Sequence, residues 1–161
     1  MGHTYAKITG KDQKDFKGEC TRKGRDGWVE LSMSIKSAFP VDPNTGKPKG
    51  SRERSPLVFT KEEGAASPNI LQAHLRHETI SKMVIEKVKR GEDGKSEVVV
   101  SRVTLEDGSV PTYSAFPSGT DTDLRNDPRH LEQFSVSYRK IKYENVEAKN
   151  ATEEDWNEPN A

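Results

Sequence analysis

The chain has 161 residues, of which 26 are basic and 26 are acidic, so its formal net charge at pH 7 is zero. This length is typical of one domain, and the balanced charge excludes a general electrostatic attraction to nucleic acid or to an anionic membrane. Leu, Ile, Val and Phe together account for only 30 residues. We therefore expect a folded domain with a thin core, which needs either an economical β architecture or neighbouring subunits that complete its burial.

The N-terminal residues contain no apolar run of the kind that forms the central region of a signal peptide. No stretch elsewhere approaches the ~18 apolar residues of a membrane-spanning helix. Cys20 is the only cysteine, which excludes an internal disulfide and a multi-cysteine zinc cluster. We expect a protein that folds in a reducing cytoplasm, without a Sec signal peptide and without membrane insertion.

Charge is distributed unevenly along the chain. Residues 1–56 carry 12 basic and 7 acidic side chains, whereas residues 144–161 carry 1 basic and 6 acidic side chains. Two interpretations are open: both ends are solvated segments, or the basic front of one copy attracts the acidic tail of another.

Strand patterns dominate the chain and predict antiparallel sheets. A connection rich in Lys, Asp and Gly, residues 10–27, separates the first strand from the second. A turn at residues 91–94 separates two long strands in the middle of the chain. The predicted strands are Thr4–Thr9, Trp28–Lys36, Leu57–Glu62, Thr79–Lys89, Glu97–Leu105, Pro111–Phe116 and Gln133–Val146.

The second predicted strand alternates strictly between apolar and polar side chains, as a half-buried strand does. One face carries Val29, Leu31, Met33 and Ile35. The other face carries Glu30, Ser32, Ser34 and Lys36. The exposed face of this strand is therefore expected to be smooth and polar.

The last predicted strand changes its phase part-way along. Apolar side chains alternate from Phe134 to Tyr138 and resume in the opposite phase at Ile141 and Tyr143. A bulge at residues 139–140 would re-aim the strand, so that its second half serves another face. Strands that turn the corner of a barrel or a sandwich behave in this way.

One helix is predicted after the strand that ends at Glu62. Ser67 is its expected N-cap, Pro68 stands at the first helical position, and the helix ends near His77. The expected apolar stripe, which would cover one open side of the sheets, consists of Ile70, Leu71, Ala73 and Leu75. His74 lies on this stripe, where we expect a hydrogen-bonded histidine at the core or its rim rather than a ligand.

Residues 40–55 form a long loop with three prolines and two glycines, so this segment is neither a helix nor a central strand. Its 16 residues exceed the ~12–15 above which structureless loops tend to be functional or disordered. Its basic side chains outnumber the acidic Asp42 and Glu53. A protruding basic arm and a solvated loop are both compatible with this composition.

Catalytic and metal-binding patterns are poor. Of the four histidines only His74 and His77 are close together, and the pair lacks the HExxH spacing of a zinc hydrolase. The chain has no phosphate-binding P-loop and no GxSxG nucleophile motif. We expect no enzyme, no catalytic residues, no metal and no cofactor.

Two alternative classes remain open from the residues alone. A β-sandwich module that binds a small ligand, with no transport role, would also show alternating strands without catalytic residues. Ligand pockets are usually rich in aromatic side chains, whereas only 7% of this chain is aromatic. An enzyme with a dispersed site is the other alternative, and both would be monomers or dimers in solution.

Two neighbouring segments resemble a known family. They are the strand Ser55–Glu62, with the sequence SPLVFTKE, and the helix start Ala66–Leu71, with the sequence ASPNIL. Both resemble the signature of the haemolysin-coregulated proteins (Hcp), the tube proteins of the bacterial type VI secretion system, which are related in structure to phage tail-tube proteins. The resemblance extends to residues 5–10, 42–46, 50–52, 134–141 and 155–157.

The resemblance implies a mainly β fold: a compact antiparallel β-barrel of two sheets with one flanking helix and a long extended loop. It implies a single tube domain, residues 1–161, with the loop at residues 40–55 and an acidic C-terminal tail at residues 147–161. It also implies a non-enzymatic subunit that forms homo-hexameric rings, which stack into a tube.

The resemblance further implies partners and a route. In this family a contractile sheath pushes the tube out of the cell, a VgrG-type spike stands at its tip, and effector proteins travel in the lumen. We therefore expect synthesis in the bacterial cytoplasm and export through the type VI apparatus to the extracellular space or a target cell.

Two candidate sites follow. Ser34 resembles a serine that in the family faces the channel and affects cargo, so Ser32 and Ser34 are expected to contact the lumen and the effector. The length and the prolines of the loop predict a stiff arm that reaches a neighbouring ring and stabilises stacking. Its candidate contact residues are Asp42, Pro43, Asn44, Lys47, Lys49, Arg52 and Arg54.

Overall fold

The computed structural model describes residues 3–50, 55–117 and 130–156, which contain eleven strands and one helix. The larger sheet contains β1 (His3–Gly10), β2 (Lys14–Asp15), β3 (Val29–Glu30), β6 (Ile80–Arg90), β7 (Glu97–Gly108), β10 (Lys140–Asn145) and β11 (Asn150–Asp155). The smaller sheet contains β4 (Ser32–Ser34), β5 (Leu57–Glu62), β8 (Tyr113–Pro117) and β9 (His130–Val136). The helix α1 spans Ser67–Leu75.

Both sheets are antiparallel throughout. The seven-stranded sheet has the order β11-β10-β7-β6-β1-β2, with β3 also paired to β1, and the four-stranded sheet has the order β4-β5-β9-β8. This architecture confirms the mainly β class with two antiparallel sheets and one helix. Among the described residues every strand pairs within one of the two sheets, so the expected barrel is not closed by a continuous ladder.

The predicted strand Trp28–Lys36 is divided between the two sheets. Its first part, β3, pairs with β1, and its second part, β4, pairs with β5. The crossing point is Leu31, which is 6% exposed and whose N–H donates to the carbonyl oxygen of Thr4 at 3.1 Å. The side chains of the predicted apolar face are buried or half-buried as far as Met33. Ile35 is 46% exposed, because the strand ends at Ser34.

The phase slip near the C-terminus is a corner between the sheets, as predicted, but the chain turns at residues 137–139 between two strands and not at a bulge within one strand. The segment predicted as one strand forms β9 in the four-stranded sheet and β10 in the seven-stranded sheet. The N–H of Arg139, within the corner, donates to the carbonyl oxygens of Glu106 and Asp107 at 2.9 and 3.1 Å. The change of phase in the sequence therefore marks the point where the chain changes sheets.

The core lies between the two sheets. Phe59 on β5 and Phe134 on β9 stack with their ring centroids 5.3 Å apart. Side chains of the seven-stranded sheet, among them Ile8, Met83 and Leu105, complete the same cluster and are at most 2% exposed. Burial of these aromatic and aliphatic groups is the main favourable contribution to folding.

The helix covers part of this core with Ile70 and Ala73, which are almost fully buried. The predicted N-cap is wrong. Ala66, not Ser67, is the N-cap residue, because the Ser67 hydroxyl accepts from the N–H of Gly64 and donates to Glu132 instead of capping the helix.

The predicted apolar stripe is narrower than expected, since Leu71 and Leu75 are 36% and 68% exposed. The helix ends at Leu75, two residues before the predicted end. His74 is a hydrogen-bonded rim residue, as expected, because its Nδ1 lies 2.8 Å from the carbonyl oxygen of Val110.

Two strands were not predicted. The short β2 pairs with the end of β1, and β11 pairs along the whole length of β10. The sequence of β11, NATEED, has no apolar alternation, because an edge strand with both faces largely in water needs none. Much of the acidic C-terminal segment is therefore an edge strand of the larger sheet.

Candidate functional site

The outward side of the four-stranded sheet carries small polar groups. Ser32 and Ser34 are exposed on this side of β4, where the alternation places them. We define the polar face as the outward side chains that share this side across the four strands. Its small polar members are Ser32, Ser34, Thr60, Ser114 and Gln133. The same side also carries Val58, Glu62, Leu131 and Phe116, and the term polar face is kept for the small polar members.

Four members of the polar face stand in one cross-strand row: Ser32 pairs with Thr60, Thr60 with Gln133, and Gln133 with Ser114. The Ser32 hydroxyl donates to the Thr60 carbonyl oxygen at 3.3 Å, and the Gln133 amide donates to Thr60 Oγ1 at 3.5 Å. These groups are uncharged and partly satisfy one another. The row can therefore present a wetted, neutral wall, and it contains no activated nucleophile.

A buried ion pair lies on the opposite side of the same sheet. Lys61 on β5 and Glu132 on β9 are cross-strand neighbours, and Lys61 Nζ is 2.8 Å from Glu132 Oε1. Both side chains are 0% exposed. The sequence analysis missed this pair, although the alternation in LVFTKE places Lys61 on the same face as Leu57 and Phe59.

The two outer strands of the four-stranded sheet, β4 and β8, each have one unpaired edge among the described residues. Large apolar side chains are exposed close to both edges. Ile35, Phe39 and Val41, which follow β4, are 46%, 51% and 51% exposed, and Phe116 on β8 is 39% exposed. Unpaired strand edges bordered by exposed apolar groups are surfaces to which another chain can add.

The first part of the long loop is a hydrogen-bonded ribbon. A bridge joins Val41 to Pro48, and the N–H of Asp42 donates to the carbonyl oxygen of Lys47 at 2.8 Å. The turn closes at Gly46, whose positive φ of 71° suits glycine. The candidate stacking residues Asp42, Pro43, Asn44, Lys47 and Lys49 belong to this ribbon or its ends, whereas Arg52 and Arg54 lie outside the described residues.

Part of the basic front is neutralised within the chain. Arg25 Nη1 lies 2.6 Å from Glu86 Oε1, and Arg102 Nη2 lies 2.7 Å from Glu86 Oε2. Burial acts to raise the pKa of Glu86, but the hydrogen bonds from the two arginines outweigh it and hold the pKa below its usual value. Arg22 forms a further ion pair with Glu97. These arginines therefore already form ion pairs within their own chain.

A cleft of about 550 Å³ opens beside these ion pairs. Its lining consists mainly of charged side chains, among them Arg22, Lys23, Arg25, Glu86, Lys95 and Glu97. Pockets for small organic ligands are lined mainly by apolar and aromatic groups. The cleft therefore gives no support to the alternative of a small-ligand binding module.

Residues 3–50, 55–117 and 130–156 contain no group of three or more His, Cys, Asp or Glu side chains placed to hold a metal ion. Within the same ranges, no helix has the length and apolar character needed to cross a membrane.

Comparison with known families decides the identity of the chain. Residues 5–144 match the family model described as "Type VI secretion system effector, Hcp". The chain belongs to the Hcp family. A curated relative, the "Major exported protein" of Pseudomonas aeruginosa, is 27% identical over 165 residues, which cover 96% of this chain and 95% of the relative.

Solved Hcp structures have the same fold. A double mutant of Hcp1 from E. coli EAEC 042 is 26% identical, with a TM-score of 0.81 over 96% of this chain and 98% of the other. A further Hcp protein is 21% identical, with a TM-score of 0.86 over 98% and 99% of the two chains. The secreted Hcp3 of P. aeruginosa is 20% identical, with a TM-score of 0.70 over 97% and 99%.

Membership of the Hcp family establishes the coarse function. The chain is an exported protein of the type VI secretion system, and Hcp proteins are structural rather than enzymatic. The resemblance seen in residues 55–71 therefore led to the correct family. The roles expected for individual residues of the polar face and of the loop remain predictions.

Proposed function

We propose that this Hcp protein is the tube subunit of a type VI secretion system: six copies form a ring, and the rings stack into a tube that is injected. The observation that supports this proposal best is the four-stranded sheet, which combines a row of small polar groups with two edges that are unpaired in the part of the chain that the structure describes. A sheet of this kind can be joined edge to edge around a closed ring, so that its polar face lines the inside.

Ring closure is supported by the exposed edges of β4 and β8. A head-to-tail contact between β4 of one copy and β8 of the next would pair both edges and cover the apolar groups beside them, including Ile35 and Phe116. Closure removes the free edges that otherwise favour aggregation. Stable contacts of this kind bury on the order of 2,000 Å² or more.

The lumen is then lined by the polar face. Ser32 and Ser34 project into the channel in this arrangement, and their short hydroxyl groups leave room for a passenger. The row of hydroxyl and amide groups would hold a protein effector weakly enough to release it, because these groups carry no fixed charge.

Stacking is assigned to the long loop. Its ribbon exposes Asn44, Lys47 and Lys49, whereas Asp42 is half-buried. The internal hydrogen bonds of the ribbon reduce the entropy lost when it docks on a neighbouring ring. Repetition of the contact around the ring multiplies the small free energy of each exposed ion pair.

The remaining partners follow from this role. The tube is made in the bacterial cytoplasm, is surrounded by a contractile sheath and carries a VgrG-type spike at its tip. Effector proteins occupy its lumen. The balanced charge of the chain offers no basis for binding nucleic acid.

Negative-stain electron microscopy of the purified protein tests this function. We expect ring-shaped particles with six-fold symmetry in the wild type. The double variant Ile35→Lys/Phe116→Lys, which places a charge at each edge, should remove the rings. Leu75→Lys is the matched control, since Leu75 is 68% exposed on the helix. Wild-type particles without rings, or rings unaffected by charges at both edges, would contradict the proposal.

A further inference from the structure

The buried ion pair of Lys61 and Glu132 is an unusual feature in so thin a core. Taking two charges out of water is costly, and replacement of a buried pair by apolar side chains of similar volume is often neutral or stabilising. Stability alone is therefore a weak explanation for the pair. The hydrogen bonds of Glu132 indicate a second role for the pair.

Glu132 accepts hydrogen bonds from three different elements. Lys61 Nζ on β5 donates to Oε1 at 2.8 Å, the Ser67 hydroxyl at the start of the helix donates to Oε1 at 2.9 Å, and the Tyr113 hydroxyl on β8 donates to Oε2. Burial and the hydrogen bond with Glu132 raise the pKa of Tyr113. The phenol is therefore protonated at neutral pH and remains a donor to the carboxylate.

The strand β8 depends on such contacts for its register. It has five residues, and all except Tyr113 are exposed. A shift by two residues along β9 would leave every side chain of β8 on the same face, so the hydrophobic pattern specifies the register only weakly. The Tyr113 ring packs against the core opposite Phe134. Two polar contacts add to this packing: Tyr113 with Glu132, and the hydroxyl pair of Thr112 and Ser135 at 2.6 Å.

We propose that Lys61, Glu132 and Tyr113 form a register lock for the edge strand β8. Lys61 and Ser67 hold the Glu132 carboxylate in one position, and Tyr113 aligns β8 against that carboxylate. Buried polar groups that specify one alignment at a cost in stability are best known from coiled coils. The consequence for assembly rests on the proposed function, because β8 supplies one of the two edges that would close the ring.

Two variants test the lock. Tyr113→Phe removes the link between β8 and the carboxylate but leaves the ion pair intact. The triple variant Lys61→Met/Glu132→Leu/Tyr113→Phe replaces the whole network by apolar groups. Tyr143→Phe, on β10 of the other sheet, is the control for the loss of a tyrosine hydroxyl. Three quantities are measured: amide hydrogen exchange in β8 and in β10, the thermal unfolding midpoint, and the fraction of protein in rings.

The lock predicts a local effect in both variants. Amide exchange in β8 should become faster by about tenfold or more while β10 is unchanged, because only the edge strand gains alternative registers. The triple variant should keep a midpoint close to that of the wild type and still form fewer rings. The control should resemble the wild type in all three measurements.

Two results would overturn the lock: unchanged exchange in β8, or a lower midpoint with faster exchange in both sheets, which would make the network a general stabiliser. If the triple variant does not fold, amide exchange and the unfolding midpoint of Tyr113→Phe alone decide whether the lock exists. A wild type without rings would refute the proposed function, whereas the exchange measurement would still test the lock.

Discussion

Gly108, the last residue of β7, packs so closely against Ser137 that a Cβ atom at residue 108 would lie 1.7 Å from the Ser137 carbonyl oxygen. Ser137 stands in the corner where the chain passes from β9 to β10. Hydrogen bonds flank the contact, since the N–H of Ser137 donates to the Ser109 carbonyl oxygen at 2.9 Å and the N–H of Ser109 donates to Ser137 Oγ at 3.0 Å. The two sheets are therefore tied together at this corner by a backbone approach that only glycine allows.

Gly108→Ala is expected to destabilise the fold. The added methyl group meets backbone atoms that cannot rotate away, so we expect a loss on the order of 2–4 kcal/mol in the free energy of unfolding. Urea unfolding measures this loss. Gly64→Ala is the control, because the nearest group to its Cβ would be the flexible carboxylate of Glu19, at 2.8 Å. Equal effects of the two substitutions would show that the corner is not tightly packed.

Glu86 should make the fold sensitive to acid. Its pKa is lower in the folded state than in the unfolded chain, so its stabilising contribution is complete above the unfolded pKa and is lost as the pH falls through the folded pKa. Glu86→Gln should therefore flatten the dependence of stability on pH below about pH 4.5. At neutral pH it should cost on the order of 2–3 kcal/mol, less than the ~3–5 kcal/mol of a fully buried pair, since Arg102 is 36% exposed.

The measurement for Glu86 is the urea midpoint at a series of pH values. Glu153→Gln is the control, because the Glu153 side chain is 59% exposed and its pair with Lys140 is worth only ~0–1 kcal/mol. A pH profile of Glu86→Gln that superimposes on that of the wild type would show that the two arginines do not stabilise the carboxylate.

Most strands could be predicted because each has one buried and one exposed face. The sequence shows the period of two in Val29–Ser34 and the phase slip at residues 139–140. The slip correctly predicted the place where the chain passes from one sheet to the other. The strand β11 could not be predicted in this way, because an edge strand exposed on both faces has no alternation.

The contribution of β4 to the polar face was predictable, and the network beneath the face was not recognised. Ser32 and Ser34 stand on the polar side of an alternating strand, whereas Lys61 stands on the apolar side of β5. A lysine at such a position requires a buried partner. Which residue provides that partner depends on strand order, because Glu132 is 71 residues away in the sequence.

Ser34→Gln is expected to reduce retention of an effector while rings still form. The longer side chain would narrow the channel without touching the core, since Ser34 is exposed. Co-purification of an effector with the wild type and with the variant measures retention, with Ser34→Ala as a control of smaller volume. Loss of the ring itself in Ser34→Gln would place Ser34 in a subunit contact instead of the lumen.

Replacement of residues 44–51 by a short Gly/Ser turn should leave rings intact and reduce tubes. The ribbon makes its hydrogen bonds within the loop, so its removal should leave the sheets unchanged. Sedimentation separates tubes from rings and measures both fractions. Undiminished tube formation after the replacement would exclude the loop from stacking.

The mass of the assembled protein tests the central claim most directly. A ring of six copies should give a mass of about six times the 18.0 kDa of one chain in light scattering coupled to size-exclusion chromatography, with larger species from stacked rings. Ile35→Lys/Phe116→Lys should shift this mass towards that of one chain, and Leu75→Lys should not. A wild-type protein that remains at the mass of one chain at high concentration would contradict the account.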